Sequence, residues 1–326
     1  MPWMTILQAI AFANGSAIAD GDAPQPATEQ PETGTDAAVE TFATEYDRWR
    51  RMTVDVRIGG EGPFRFMVDT GAQATVLSED LANRLSLAGD RSATLIGMAS
   101  TQRVLTTFVP DLALGNRSVD IRTAPILAAR HIGGADGILG LDSLQDRRVL
   151  LDFRIGAMSV SDDLGDGGAD SYDIVVRARE RLGQLIIHRA RIDGVRTAVI
   201  IDTGASHSIG NLALLDRLNR NRAVESSVMT DVNGARLVGE TRVARCMALG
   251  SVDLANVPIA FANSPTFASL ELADRPAMIL GMSELSLFNR VAIDFRTSRV
   301  MFDVPDDVPI DRSWNFNARA TRLPGR

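Results

Sequence analysis

Two aspartates of this chain stand in nearly identical motifs that lie far apart in the sequence. Phe66-Met-Val-Asp69-Thr-Gly-Ala72 recurs as Val199-Ile-Ile-Asp202-Thr-Gly-Ala205, a displacement of 202 − 69 = 133 residues. In each copy the carboxylate directly follows an apolar strand and lies at a turn whose glycine lets another chain segment approach closely. One Asp-Thr-Gly is a common turn sequence. Two copies within a long repeat indicate two carboxylates that act together.

A pseudo-twofold axis between two similar lobes would carry Asp69 next to Asp202. Two carboxylates in one site cannot both ionise cheaply, so they are expected to share one proton, and their titrations belong to the pair. The ionised member can remove a proton from water as that water attacks a carbonyl carbon. The protonated member can donate to the developing oxyanion. This chemistry is hydrolysis.

The repeat extends well beyond the two motifs and predicts the fold class. The matching segments are Arg103 with Arg236, Pro125 with Pro258, Gly137-Ile-Leu-Gly140 with Met278-Ile-Leu-Gly281, and Arg148-Val-Leu-Leu-Asp-Phe-Arg154 with Arg290-Val-Ala-Ile-Asp-Phe-Arg296. Each copy is expected to contain a hairpin, the Asp-Thr-Gly turn, a short helix, a second hairpin, more strands, and a closing strand. The predicted fold is mainly β, with two pseudo-symmetric lobes and one short helix or more in each.

Local signals place these elements in the chain. Alternation from Thr53 to Ile58, a glycine-rich turn and a return from Phe64 to Val68 predict the first hairpin. Ser78 is a typical N-cap for a helix that runs through Leu85. The matching helix of the second copy is predicted from Leu212 to Leu218.

Composition excludes several classes of function. Apolar residues make up 45% and charged residues 23% of the chain, and the net charge of −7 gives no reason to expect nucleic acid as a partner. Cys246 is the single cysteine, and three histidines are scattered without metal-ligand spacing, so no disulfide, metal or cofactor is expected. The acidic, glycine-rich segment 161–170 does not follow the EF-hand order and is interpreted as a linker.

The predicted organisation has six segments. Residues 1–19 are a possible signal peptide, because an apolar stretch ends in the small-x-small pattern Ala17-Ile-Ala19, although a positively charged start is missing. Residues 20–45 contain few large apolar residues and are predicted to be a disordered spacer. The remaining segments are a first lobe at 46–160, a linker at 161–172, a second lobe at 173–304 and a tail at 305–326. A periplasmic or secreted protein without a transmembrane span in its mature form is expected, with a cytoplasmic or membrane-tethered protein as the alternatives.

The apolar-apolar-Asp-Thr-Gly-Ala pattern, followed after about seventy residues by Ile-Leu-Gly, resembles the retropepsin-like aspartic peptidases over nearly all of residues 50 to 304. The resemblance implies two β-barrel lobes of the acid-protease kind in one chain, in an exported bacterial protein. It also implies an endopeptidase that cleaves extended protein or peptide segments.

Residue by residue, the resemblance implies four sets of roles. It makes Asp69 and Asp202 catalytic, and it makes Thr70, Gly71, Ala72, Thr203, Gly204 and Ala205 the supports of the active-site turns. It places Ile138, Leu139, Gly140, Ile279, Leu280 and Gly281 in strands beneath those turns. Two flap hairpins, 95–104 and 228–238, would cover the substrate, and they would turn at Met98, Ala99 and Ser100 and at Val232, Asn233 and Gly234.

The chain departs from the family's patterns in ways that make further predictions. Retropepsins are usually homodimers of one-lobe chains, whereas this chain carries both halves, so an active monomer is expected. Neither flap contains the tyrosine of pepsin-like enzymes. Ala72 and Ala205 replace hydroxyl residues that favour the charged carboxylate in pepsin-like enzymes, so a weakly acidic or neutral pH optimum is expected. His207, just past the second motif, could tune the site, but it is interpreted as an exposed strand residue.

Three other hypotheses compete with a monomeric peptidase. The same fold could capture peptides without cutting them, although both carboxylates are retained. Each lobe could pair with the same lobe of another molecule. A carboxylate-dependent glycosidase also needs paired acids, but its carboxyl groups usually lie about 5 Å or more apart.

Overall fold

A computed structural model of the chain describes residues 8–10, 40–47, 51–144, 146–161, 171–218 and 225–305. Most of the predicted signal peptide and spacer, the central part of the linker and nearly all of the tail lie outside these residues. The described chain is mainly β, with two matched lobes and short helices, which confirms the predicted fold class. None of its helices is long and apolar enough to cross a membrane.

The first lobe is built on one sheet whose central strands close on themselves. Its strands are β1 (Gln8–Ile10), β3 (Glu45–Tyr46), β4 (Met52–Ile58), β5 (Glu61–Val68), β6 (Val76–Ser78), β7 (Arg91–Gly97), β8 (Thr101–Leu114), β9 (Arg117–Leu127) and β10 (Gly137–Leu139). Pairing runs β4-β8-β9-β6-β10-β5 and returns to β4. The first lobe is therefore a closed six-stranded barrel.

The second lobe repeats this barrel with equivalent strands. Its strands are β14 (Arg179–Arg181), β15 (Gln184–Ile192), β16 (Val195–Ile201), β17 (Ile209–Gly210), β18 (Glu225–Thr230), β19 (Arg236–Leu249), β20 (Val252–Phe261) and β21 (Ala277–Leu280). Pairing runs β15-β19-β20-β17-β21-β16 and returns to β15. The register of the first hairpin is also conserved between lobes, because Thr53 pairs with Met67 as Ile186 pairs with Ile200.

A third sheet joins the lobes and contains strands from both. In order, its strands are β13 (Ile174–Arg177), β23 (Arg299–Asp303), β22 (Arg290–Asp294), β11 (Arg148–Asp152), β12 (Ala157–Ser161) and β2 (Glu40–Ala43). The two closing strands of the repeat, β11 and β22, pair antiparallel at its centre, with Arg148 opposite Asp294 and Asp152 opposite Arg290. Opposite charges face each other at both ends of this pair. The sheet therefore lies across the pseudo-twofold axis.

The helices are short, and the two predicted from the sequence begin at the predicted residues. The helices are α1 (Glu79–Arg84), α2 (Leu141–Leu144), α3 (Leu212–Arg217), α4 (Pro265–Ser269) and α5 (Met282–Leu285), with one 3₁₀ turn at Ala129–Ile132. The N-cap hydroxyl of Ser78 accepts a hydrogen bond of 3.0 Å from the amide of Leu81, as a Ser cap should. The side chain of Asn211 caps α3 in the same way. Both predicted helices are confirmed to within one residue.

One boundary of the predicted spacer is wrong. Strand β2 begins at Glu40, inside the segment predicted to be disordered, and pairs with β12 at the edge of the interlobe sheet. Phe42 packs against the main core from this strand. The strand pairing, the packing of Phe42 and the contacts of Glu40 with Asn116 and Arg117 together order the end of a segment whose composition is otherwise polar.

Candidate active site

The two aspartates lie at the same position in their barrels, one residue after strands β5 and β16. Asp69 is 0% and Asp202 is 1% exposed. The amide of Asp69 donates to the carbonyl of Leu139 and the amide of Asp202 to the carbonyl of Leu280, both at 3.1 Å. The strands that end in Leu139 and Leu280 run parallel to β5 and β16. The predicted Ile-Leu-Gly strands therefore lie beneath the two turns and fix the start of each turn.

Each carboxylate has one oxygen held by its own turn and one that faces the glycine of the opposite turn. Oδ1 of Asp69 accepts from the amides of Gly71 and Ala72 at 2.8 and 2.9 Å. Oδ1 of Asp202 accepts from the equivalent amides at 2.8 and 3.1 Å. Within the described residues, neither Oδ2 atom receives a hydrogen bond from an N–H or hydroxyl group. The two carboxyl groups are within hydrogen-bonding distance of each other, so a shared proton can join them.

The close approach of each carboxylate to the opposite turn requires a glycine in that turn. A Cβ atom on Gly71 would overlap the carboxylate of Asp202, and one on Gly204 would overlap the carboxylate of Asp69. Both glycines have ordinary backbone angles, since neither is among the residues with positive φ. Glycine is therefore required at these two positions because the opposite carboxylate leaves no room for a Cβ atom. The backbone conformation does not require it.

The two threonines interlock across the lobe boundary. The amide of Thr70 donates to the hydroxyl of Thr203 at 3.1 Å, and the amide of Thr203 donates to the hydroxyl of Thr70 at 3.2 Å. The two hydroxyl groups donate onward to the carbonyls of Ile201 and Val68, in the opposite lobe. Four hydrogen bonds thus hold the two carboxylates in one geometry.

Burial raises the pKa of both aspartates, and the charge of Asp69 adds to the rise at Asp202. Loss of hydration raises the pKa of Asp69 from 3.8 to about 6, although hydrogen bonds from Gly71, Asp202 and Ala72 and the charge of Arg51 oppose the rise. Loss of hydration and the charge of Asp69 raise the pKa of Asp202 well above 3.8. Over the range between these two titrations the pair carries one negative charge and one proton.

A second pair of acids supports the turns from below, and it was not predicted from the sequence. In the first lobe, Asp142 accepts from the amide and the hydroxyl of Thr75 at 2.9 and 2.7 Å. In the second lobe, Glu284 accepts from the hydroxyl of Ser208, and loss of hydration raises the pKa of Glu284 from 4.5 to about 7. Thr75 and Ser208 are separated by the same 133 residues that separate the two motifs. The repeat could therefore have been used to predict this pair.

The flap hairpins turn at the predicted residues, and the tip of each flap packs against the opposite lobe. Strands β7 and β8 turn at Met98, Ala99 and Ser100, and strands β18 and β19 turn around Val232, Asn233 and Gly234. Met98 packs into an apolar cluster of the second lobe with Ala205 and Ile279. Val232 packs into the equivalent cluster of the first lobe with Ala72 and Ile138. Both flaps are therefore closed over the carboxylate pair, each anchored in the opposite lobe.

A buried carboxylate joins the two flap tips. Asp231 is 1% exposed and accepts from the amide of Ala99 at 3.1 Å and the hydroxyl of Ser100 at 2.8 Å, both in the other flap. It also accepts from the amides of Asn233 and Ala235 in its own turn. Gly97 of the first flap lies against this carboxylate, since a Cβ there would be 2.6 Å from Oδ2 of Asp231. The turn of the first flap, residues 97–100, contains no acidic residue, so this connection is asymmetric and was not predicted from the sequence.

The prediction for His207 is wrong. This residue is half-buried in a bend after the second Asp-Thr-Gly turn, and its Nδ1 lies 2.8 Å from the hydroxyl of Ser283. Burial lowers the pKa of His207. In the described part of the chain, no three His, Cys, Asp or Glu side chains are placed to hold a metal ion.

Two six-stranded barrels, each presenting an Asp-Thr-Gly turn to a common buried site, define the class of the aspartyl proteases. Two family profiles match the chain in tandem. The one described as "gag-polyprotein putative aspartyl protease" covers residues 54–146, and the one described as "Aspartyl protease" covers residues 188–283. A search of curated proteins found no match. The chain belongs to the retropepsin-like aspartic peptidases, in a two-lobe form.

Proposed function

We propose that this protein is an aspartic endopeptidase in which Asp69 and Asp202 form one catalytic dyad. The observation that carries the proposal is the pair of buried carboxylates with one oxygen each held by backbone amides and the other facing the opposite turn, without a donor among the described residues. Their direct contact disfavours the glycosidase hypothesis, because glycosidase carboxyl groups lie about 5 Å or more apart to accommodate a sugar ring.

The reaction uses the single proton of the pair. The ionised carboxylate takes a proton from water while the water oxygen bonds to the peptide carbonyl carbon, and the protonated carboxyl group donates its proton to the carbonyl oxygen. The resulting diol then returns one hydroxyl proton to the second carboxylate. The first carboxyl group protonates the leaving nitrogen as the carbon–nitrogen bond breaks. The dyad ends in its starting state, and no other reactant is required.

The substrate is an extended segment of protein. Closed flaps present their strands above the dyad, and a strand-like substrate can form backbone hydrogen bonds with them. The clusters that hold Met98 and Val232 are apolar on both sides of the dyad, with Leu95, Val104 and Leu127 in the first lobe. When the flap tips withdraw, these clusters become pockets for apolar side chains.

The test is cleavage of an unfolded protein and a mixed peptide library by the full chain, across pH values from about 3 to about 8. Asp69→Asn and Asp202→Asn are the matched variants, since each keeps the size of the side chain and removes its charge. Internal cuts that either substitution abolishes support one shared dyad. An intact protein that binds library peptides but cuts none would establish the peptide-binding module instead.

A further inference from the structure

Gln184 makes a hydrogen bond across the lobe boundary to the catalytic turn of the first lobe. It is the first residue of β15 and only 1% exposed, and its amide Nε2 donates to the carbonyl of Gly71. That carbonyl belongs to the same peptide group as the amide of Ala72, which donates to Oδ1 of Asp69 at 2.9 Å. A hydrogen-bond chain therefore runs from Gln184 through one peptide group to the carboxylate of Asp69.

This chain favours a negative charge on Asp69. A donor on the carbonyl side of a peptide group polarises the group and makes its N–H a stronger donor. The stronger N–H stabilises an ionised acceptor more than a neutral one. Gln184 thus acts on Asp69 without touching it.

The two lobes have different residues at the position of Gln184. The strand registers place residue 184 in the second lobe where residue 51 stands in the first, since 186 − 53 and 184 − 51 are both 133. The equivalent residue is Arg51, which is 1% exposed and forms an ion pair with Asp47, with Nε donating at 2.8 Å. The charge of Arg51 lowers the pKa of Asp69. Both residues of this pseudo-symmetric pair therefore favour an ionised Asp69.

We infer that Gln184 and Arg51 are positioning residues that break the twofold symmetry of the dyad, so that Asp69 carries the negative charge and Asp202 carries the proton. Asp69 then takes the proton from the attacking water, and Asp202 donates to the carbonyl oxygen. This assignment rests on the proposed peptidase function for its catalytic meaning. The order in which the two carboxyl groups ionise is a property of the folded protein and does not depend on turnover.

Among the described residues, the charges that act on the dyad are those of Arg51 and of the two aspartates themselves, and Asp47 forms an ion pair with Arg51. Because Asp47 offsets part of the charge of Arg51, a substitution of Arg51 removes a charge and also breaks the ion pair with Asp47. A substitution of the neutral donor Gln184 is easier to interpret. Gln184→Met has nearly the same shape, removes the donor, and also removes a buried Oε1 that has no hydrogen-bond partner within the described residues. Gln184→Arg keeps an N–H donor and introduces the residue found at the equivalent position.

The experiment is a titration of the intact protein labelled with carbon-13 at the aspartate carboxyl groups, with resonances assigned from Asp69→Asn and Asp202→Asn. We expect Asp69 to ionise first, and Gln184→Met to raise that first titration by roughly half a unit to one unit. Gln184→Arg should return it to the original value or below, and Arg51→Gln should raise it. Arg189→Gln, an exposed charge change on the same strand, should leave it in place.

In each variant, the pH at which kcat/KM falls on the acidic side should shift by the same amount as the first titration. At higher pH, KM should stay constant. A Gln184→Met protein that merely unfolds more easily would show a lower unfolding midpoint with an unchanged titration, and that result would overturn the inference. Ionisation of Asp202 before Asp69 would also overturn it. If no variant cuts any peptide, the peptidase proposal fails, and the carboxyl titration still decides the assignment of charge.

Discussion

The carboxylate of Asp231, in the turn of the second flap, accepts a hydrogen bond of 2.8 Å from the hydroxyl of Ser100, in the turn of the first. The same carboxylate accepts the amide of Ala99 from the first flap and two amides from its own turn. One buried carboxylate therefore accepts hydrogen bonds from both flaps. A second bond between the tips runs from the side-chain nitrogen of Asn233 to the hydroxyl of Ser100 at 2.9 Å, so Asp231 contributes most but not all of the polar contacts between the flaps.

Asp231→Ala is expected to loosen both flap tips. It removes an acceptor of four hydrogen bonds, and an unsatisfied buried donor costs about 1 to 3 kcal/mol, so opening should become roughly 10- to 100-fold more frequent. Hydrogen exchange at the amides of Ala99, Asn233 and Ala235 measures this directly. Ser100→Ala removes one of the four bonds and should have a smaller effect. Unchanged exchange in Asp231→Ala would show that the bond from Asn233 to Ser100 and the packing of Met98 and Val232 are enough to hold the flaps closed.

Gly97→Ala tests the same connection from the other flap. The added Cβ would lie 2.6 Å from Oδ2 of Asp231 and 3.1 Å from the side-chain nitrogen of Asn233, so one of these side chains must move. We expect faster exchange at Ala99 with Asp231 itself intact. An unperturbed Ala99 amide in this variant would argue that the flap backbone can shift without breaking the bond.

The threonine interlock is expected to contribute strongly to stability. The hydroxyl of Thr70 donates to Ile201 and accepts from the amide of Thr203, and all of these groups are buried. Thr70→Val keeps the shape and removes both bonds, which should lower the free energy of unfolding by about 2 to 4 kcal/mol. Thr70→Ser keeps the hydroxyl and serves as the control. Equal denaturation midpoints for the two variants would contradict a role for the hydroxyl.

The elements that depend on local chemistry could be predicted from the sequence. The alternation before Asp69, the N-cap at Ser78 and the turns of both flaps are signals within a few residues, and the repeat applied each of them twice. The position of Asp202 followed from that of Asp69 because equivalent strand registers carry both into the same site.

The contacts of Asp231 and Gln184 cross between the lobes, and the sequence did not indicate them. No acidic residue stands in the turn of the first flap, and Arg51 stands at the position equivalent to Gln184, so the repeat gave no reason to select either residue. The interlobe sheet pairs β11 with β22, whose matching sequences indicated similarity but not contact. Such contacts depend on how two finished lobes dock, which no local pattern encodes.

Glu284 should make the protein less stable as pH rises from about 4.5 to about 7. Its pKa is higher in the folded state than in the unfolded chain, so its contribution is complete below 4.5 and is lost as pH approaches the folded value. A shift of this size corresponds to about 3 kcal/mol. Glu284→Gln should flatten the dependence of the unfolding midpoint on pH over that window, whereas Glu61→Gln, an exposed substitution, should leave it unchanged. A wild-type protein whose stability rises across this range would contradict the burial of a protonated Glu284.

The location of both aspartates in one chain predicts how inactive variants behave when mixed. Thr70 and Thr203 interlock within the chain, so each molecule should contain one complete dyad. Asp69→Asn mixed with Asp202→Asn should therefore remain inactive, and the wild-type protein should have a solution mass near 35.1 kDa. Recovery of activity in the mixture, at about a quarter or more of the wild-type rate, would show that lobes pair between molecules instead.

The pH dependence of cleavage follows from the raised pKa values of the pair. The reaction needs one ionised carboxylate, and the pKa of Asp69 is raised to about 6. Below that value both carboxyl groups become protonated, so kcat/KM should fall about tenfold for each unit of pH. Because the pKa of Asp202 is raised well above its ordinary value, the single proton should persist towards neutral pH and activity with it. A serine hydroxyl introduced as Ala72→Ser or Ala205→Ser can donate to the charged carboxylate, which should move the acidic limb to lower pH. A wild-type optimum near pH 2 would mean that the carboxylates are far better solvated in the working enzyme than in this closed state, and that opening of the flaps controls their ionisation.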